Sequence, residues 1–228
     1  MSTKPTIILV HGAWHGAWCW SRLEPELVRR GIGVRALELT SHGTDPAVVG
    51  DLRSDVELVR NTVKEVDGPA VLLGHSYGGL VISEAADGLD QVTKLIFMGA
   101  FFPEVGDSMR SLTGGGRAPW LDITDGLMSV APGWGRKLFY SDCDPAVAED
   151  AERRLLPQSA ASFGQEVQAT AWRTIDSTYI VCTDDQAVSP AAQRRWASMV
   201  NETVVLRGGH SPMLSQPGRV AELIDERI

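Results

Sequence analysis

The stretch AVLLGHSYGGLVI, residues 70–82, decides the fold. Its first half, AVLLG, is a continuous apolar run of strand length, and LVISEAADG (80–88) goes on as a helix ending in glycine. GHSYGG joins the two with almost no slack. A strand-to-helix turn that tight forces its central residue into strained backbone geometry. Gly74 and Gly78, two before and two after Ser76, leave out side chains where the chain folds closely on itself. The turn reads as a nucleophile elbow. It presents the Ser76 oxygen at the edge of a sheet, with a helix N-terminus behind it to stabilise developing negative charge.

Working outward, similar runs recur at TIILV (6–10), GVRALEL (33–39), KLIFMGA (94–100), TYIVCT (178–183) and ETVVLRG (202–208). They are continuous rather than alternating, as expected of strands covered on both faces. Helical patterns fall between them at LEPELVRRG (23–31), DLRSDVELVRNTVKEVDG (51–68), SPAAQRRWASMV (189–200) and PGRVAELIDERI (217–228). The alternation predicts an α/β fold with a doubly wound, mostly parallel sheet. From Pro103 to Trp172 the alternation stops. That interval carries TGGGRAPW, APGWG and two helical stretches, DPAVAEDAERRLL (144–156) and SFGQEVQATAW (162–172). It is too long for a simple connection and reads as a mainly helical cap insert, 103–172, on a core formed by 1–102 and 173–228. Such an insert sits over the carboxyl ends of the strands, where ligands bind.

The net charge of −8, with no basic stripe, argues against a nucleic-acid partner. No apolar run reaches membrane-spanning length. The opening MSTKPTIILVHGAW has too short an apolar run for a signal peptide. Cys19, Cys143 and Cys182 are odd in number and far apart, which fits neither a disulfide framework nor a zinc site. The expectation is a cytoplasmic protein without a membrane partner. A homodimer is compatible with this reading.

A serine hydroxyl needs a base to take its proton. Of the five histidines, His75 adjoins the serine and its side chain should point away. His11 and His15 lie in the first loop, and His42 in TSHGTDP reads as a solvated turn residue. His210, in the glycine-softened loop LRGGHSPM after the last strand, is placed to return over the elbow. The acid partner should follow the fifth strand, where VCTDDQAVSP offers Asp184 and Asp185. Asp185 is preferred for its Asp-x-x-Val spacing before the helix, and Glu104 and Asp107 are weaker candidates. An oxyanion would need two N–H donors. Tyr77, after the nucleophile, offers one, and Ala13 in VHGAWHGAW the other.

Taken together, LVHGAWHGAWCW, TSHG, GHSYGGL, MGAFFP, CTDDQAV and GGHSPML resemble the α/β-hydrolase superfamily. More narrowly they resemble its small esterase, hydroxynitrile lyase and plant methylesterase group. The resemblance implies Ser76 as nucleophile, His210 as base, Asp185 as acid, and Ala13 and Tyr77 as oxyanion donors. It implies no metal and no organic cofactor. The lyases of that group have threonine where Gly12 stands and lysine where Ser211 stands, so these two residues favour ester hydrolysis. The expected activity is hydrolysis of small, largely hydrophobic esters. The alternatives are a lyase-type reaction on the same triad, or ligand binding with little turnover. Trp14, Phe102, Trp120, Trp134 and Met213 are the expected substrate-binding residues. Arg117, beside three glycines, reads as a solvated loop arginine in preference to a contact for an anionic substrate.

Overall fold

The computed structural model describes residues 4–116 and 118–228, so Arg117 lies outside the described residues. The strands are β1 (Thr6–Val10), β2 (Gly33–Ala36), β3 (Ala70–His75), β4 (Val92–Met98), β5 (Leu121–Thr124), β6 (Leu127–Val130), β7 (Gln158–Ser159), β8 (Ser177–Cys182) and β9 (Glu202–Leu206). Six of them form one sheet in the order β2-β1-β3-β4-β8-β9, and every pairing in it is parallel. The inner strands β3 and β8 are buried at every residue, whereas the edge strands β2 and β9 alternate. Burial on both faces explains why the inner strands carry no period-two signal.

The α-helices are α1 (Glu24–Arg29), α2 (Leu52–Glu65), α3 (Gly78–Ala85), α4 (Met109–Leu112), α5 (Trp134–Leu138), α6 (Pro145–Arg153), α7 (Ala160–Gly164), α8 (Pro190–Ala197), α9 (Pro212–Ser215) and α10 (Pro217–Asp225). Right-handed crossovers put α1 on one face of the sheet and α2, α3 and α8 on the other. Accordingly α1 packs with α10, and α2 with α3. Helix α2 starts at a reciprocal cap between Asp51 and Ser54 and buries Leu52, Asp55, Val56, Val59 and Val63. One of those five is a carboxylate.

The chain leaves the sheet between β4 and β8. The two ends of this excursion meet where the Trp172 indole N–H donates to the Pro103 carbonyl at 2.9 Å. Besides short helices it contains a three-stranded antiparallel sheet, β5-β6-β7, which a mainly helical expectation omits. The signal was present. LDITDGLMSV turns on Asp125-Gly126, both at positive φ (+50° and +78°), as a two-residue hairpin requires. The helix expected over SFGQEVQATAW ends at Gly164. Beyond it Gln165 reaches the Asp51 carboxylate and the Gln168 N–H donates to Glu84, so tertiary hydrogen bonds replace helical ones.

The elbow leaves no room for side chains. A Cβ on Gly74 would lie 2.6 Å from the Gly78 carbonyl oxygen, and one on Gly79 only 2.0 Å from that of Phe101. Gly79→Ala is expected to destabilise the protein by about 3 kcal/mol or more, read from the urea midpoint, because backbone and not a flexible side chain must move.

Candidate active site

β1 is flanked by β2 on one side and β3 on the other, so the strand order reverses there and a crevice forms at the carboxyl ends of β1 and β3. The loops from both strands meet in it. Ser76, after β3, sits at φ +54°, a conformation that costs a non-glycine residue on the order of 1–3 kcal/mol and that the packed glycines enforce. From β1, Gly12 comes so close that a Cβ there would lie 2.8 Å from the Ser76 Cβ.

His210 follows β9 and is held by two contacts, one to the elbow and one to the loop after β8. Its main-chain carbonyl accepts a hydrogen bond from His75 Nε2 at 2.8 Å, and its Nδ1 donates to Asp185 Oδ2 at 2.8 Å. Asp185 is 3% exposed, and its carboxylate is fully engaged. Oδ1 accepts from the N–H groups of Ala187 (2.8 Å) and Val188 (2.9 Å), and Oδ2 also accepts from Gln193 Nε2 (2.8 Å). Asp184 instead faces solvent, 3.9 Å from Arg207. Glu104 pairs with Arg173 at the surface, and Asp107 caps its own turn, so neither approaches His210. Gly99 allows the Asp–His pair to pack against the sheet, since a Cβ there would lie 3.2 Å from Asp185 Oδ2.

Among the described residues, neither the Ala13 nor the Tyr77 backbone N–H has a hydrogen-bond partner. The carbonyl preceding Ala13, that of Gly12, is held by His11 Nδ1 at 2.8 Å and by the His15 N–H at 3.3 Å. Both N–H groups belong to the loops that converge where Gly12 meets Ser76, and neither is used within the fold.

A family model described as the alpha/beta hydrolase family matches residues 7–223. The chain belongs to that family. It is 30% identical to the alpha/beta hydrolase nvfD of Aspergillus novofumigatus over 239 residues, covering 97% of this chain and 95% of the relative. It is 29% identical to a carbendazim hydrolyzing esterase of Nocardioides sp., covering 94% and 96% of the two chains. The crystal structure of a pyrethroid hydrolase from Sphingobium faniae superposes with a TM-score of 0.83 at 26% identity, covering 98% of this chain and 97% of the other.

In this alpha/beta hydrolase a cavity of about 540 Å³ opens beside the crevice, lined by the excursion and α8. Ser76 does not line it. The cavity reaches the site through Phe101, whose N–H donates to the Ser76 carbonyl at 3.0 Å, and Val188, whose N–H donates to Asp185. Trp120 lines the cavity, and Trp14 packs edge-on against it at 5.6 Å between ring centroids. Phe102 lies elsewhere, in the core against Phe97, Trp172 and Tyr179, and Met213 is fully buried in α9. Trp134 carries Lys137 over its ring at 4.4 Å and does not line the cavity.

The structure adds polar residues that sequence reasoning did not select. Asp142, from the excursion, accepts from the Gly209 N–H at 2.8 Å and so clamps the loop before His210. His42 is buried, not solvated: it bonds the Leu39 carbonyl through Nδ1 and Glu38 through Nε2. His11, Glu38 and His42 are the one group of potential metal ligands within 4.8 Å of one another among the described residues. Both nitrogens of each ring are already committed, with His11 Nε2 accepting from the Leu39 N–H at 3.0 Å. The cluster is a closed hydrogen-bond network, which a metal would have to dismantle. No helix among the described residues is long and apolar enough to cross a membrane.

Proposed function

We propose that the protein is a serine carboxylesterase acting on small, largely hydrophobic esters through an acyl-enzyme intermediate. One observation carries the reading: the strained Ser76 packs against Gly12, ahead of the unpaired Ala13 N–H, and follows His75, whose ring bonds the main chain of His210 in the buried Asp185–His210 pair. Ser76 Oγ attacks the ester carbonyl while His210 Nε2 takes its proton, and the Ala13 and Tyr77 N–H groups hold the oxyanion. His210 then protonates the departing alcohol, and water repeats the cycle on the acyl-enzyme. The residues between β4 and β8 act as the cap, and the cavity with Trp120 takes the apolar part of the substrate. The esterase and hydrolase names of the relatives support the reaction class. Gly12 and Ser211 weigh against the lyase alternative: the backbone at Gly12 has no space for a side chain beside Ser76, and Ser211 brings no positive charge.

The test is a series of p-nitrophenyl esters of increasing acyl length, with a cyanohydrin in parallel. Wild type is expected to turn over the esters with a chain-length optimum, and Ser76→Ala to lose at least about 10⁴-fold in kcat. Cyanide release without ester turnover would replace the reading with a lyase, and neither activity with a ligand-binding protein.

A further inference from the structure

The cap does more than cover the cavity. Two of its buried side chains are built into the loop that carries Ala13. Gln158 is 1% exposed and saturates its amide. Nε2 donates to Ser41 Oγ at 2.7 Å and to Ser162 Oγ at 2.9 Å, while Oε1 accepts from the Trp14 N–H at 3.3 Å. The amide cannot turn over. The reverse orientation would set its NH₂ against the Trp14 N–H and leave both serines facing a carbonyl they cannot donate to, since Ser41 donates to Asp55 and Ser162 to the Ser159 carbonyl.

The peptide bond gripped this way joins Ala13 to Trp14, and its other end is gripped as well. The Ala13 carbonyl accepts from His15 Nδ1 at 2.8 Å, which fixes the proton of this neutral ring on Nδ1. His15 Nε2 is then an acceptor, and it receives the hydroxyl of Tyr140, a second cap residue, at 2.9 Å. Trp14 itself holds φ +65°, unusual for a bulky residue, so the loop needs such restraint. The network also extends to the second donor. Ser41 and the Tyr77 hydroxyl share Asp55 Oδ2, and Asp55 is fully buried.

We propose that Gln158, assisted by Tyr140, is a positioning residue that holds the Ala13 N–H in the geometry of the transition-state oxyanion. The cap is thereby part of the catalytic apparatus as well as of the cavity wall. The inference rests on the reading of Ser76, Ala13 and Tyr77 given above.

The experiment compares Gln158→Leu and Tyr140→Phe with wild type in hydrolysis of p-nitrophenyl butyrate and in inhibition by an aryl trifluoromethyl ketone. With that inhibitor Ser76 Oγ bonds to the carbonyl carbon, the serine proton passes to His210, and the carbonyl π pair moves onto oxygen. The adduct carries the oxyanion the donors must meet. Gln158→Leu is expected to lower kcat about 10- to 100-fold with KM within about twofold of wild type, and to raise the inhibitor Ki by the same factor as kcat falls. Tyr140→Phe follows the same line with a smaller change. A folded Gln158→Leu with wild-type kcat and Ki would overturn the proposal, and so would a raised KM at unchanged kcat, which would make Gln158 a substrate contact. Should Gln158→Leu fail to fold, Tyr140→Phe decides alone, since it removes only a hydroxyl: a parallel loss in kcat and inhibitor affinity supports the proposal, and unchanged values reject it. If wild type ignores the ketone and Ser76→Ala stays active, the esterase reading itself has failed.

Discussion

Asp185→Asn is expected to lower kcat for ester hydrolysis by about 10⁴-fold at neutral pH while the protein stays folded. The cause lies in how the carboxylate is engaged. Oδ1 faces two backbone donors, the N–H groups of Ala187 and Val188, which require an oxygen. An asparagine therefore keeps its carbonyl on that side and turns its NH₂ toward His210 Nδ1. The imidazole must then accept at Nδ1 and carry its proton on Nε2, leaving no lone pair to receive the serine proton. The same NH₂ also meets the donor Gln193 Nε2, whose amide stays held by the Val188 carbonyl and the Cys182 N–H, so the substitution loses that one hydrogen bond. Steady-state kinetics and a thermal melt on the same preparation check this. A kcat within about tenfold of wild type would show that Asp185 does not set the tautomer of a catalytic base.

The second large effect is acid lability. His11 and His15 are fully buried, and burial holds both down to a pKa of about 3. His75 is pushed well below the ordinary histidine range by burial and then by the neighbouring His210. In the unfolded chain these rings titrate near the ordinary histidine value of 6.5. Between that value and about 3 the unfolded state binds protons that the folded state refuses, so stability rises with pH and falls as the solution is acidified. His11 and His15 alone remove about 3 kcal/mol between pH 6.5 and pH 5, a large part of a typical folding free energy. Urea midpoints at pH 7.5, 6.5 and 5.5 are expected to fall with growing steepness. A midpoint that does not change over this interval would mean that the rings are charged in the folded protein.

Both effects arise from groups that differ in how far sequence alone could find them. The elbow was readable because backbone crowding demands glycine at fixed offsets, and the crowding is visible as the short Cβ distances at Gly74 and Gly79. The order Ser76, Asp185, His210 was readable because each residue ends a strand run or follows one closely. The sequence preference for Asp185 over Asp184 rested on its spacing before the helix, and the turn geometry supplies the physical cause: it points Asp185 at His210 and Asp184 toward Arg207. Asp142, Tyr140 and Gln158 were not readable, because each comes from the excursion between β4 and β8 and meets its partner across 67 to 144 residues of chain. No local pattern marks such a pairing. The apolar residues posed another problem. Phe102 and Met213 have the side chains a cavity wall would use, but in the fold they fill the core, and composition does not separate the two uses.

The central claim is that Ser76 forms a covalent acyl-enzyme. The direct measurement is to quench the enzyme with acid during turnover of p-nitrophenyl acetate, then determine the intact mass and map the modified peptide. The account predicts the added mass of a single acetyl group on the peptide containing Ser76, and no such adduct on Ser76→Ala. Turnover without any acyl adduct on wild type, or the same adduct persisting at another residue in Ser76→Ala with activity retained, would contradict it.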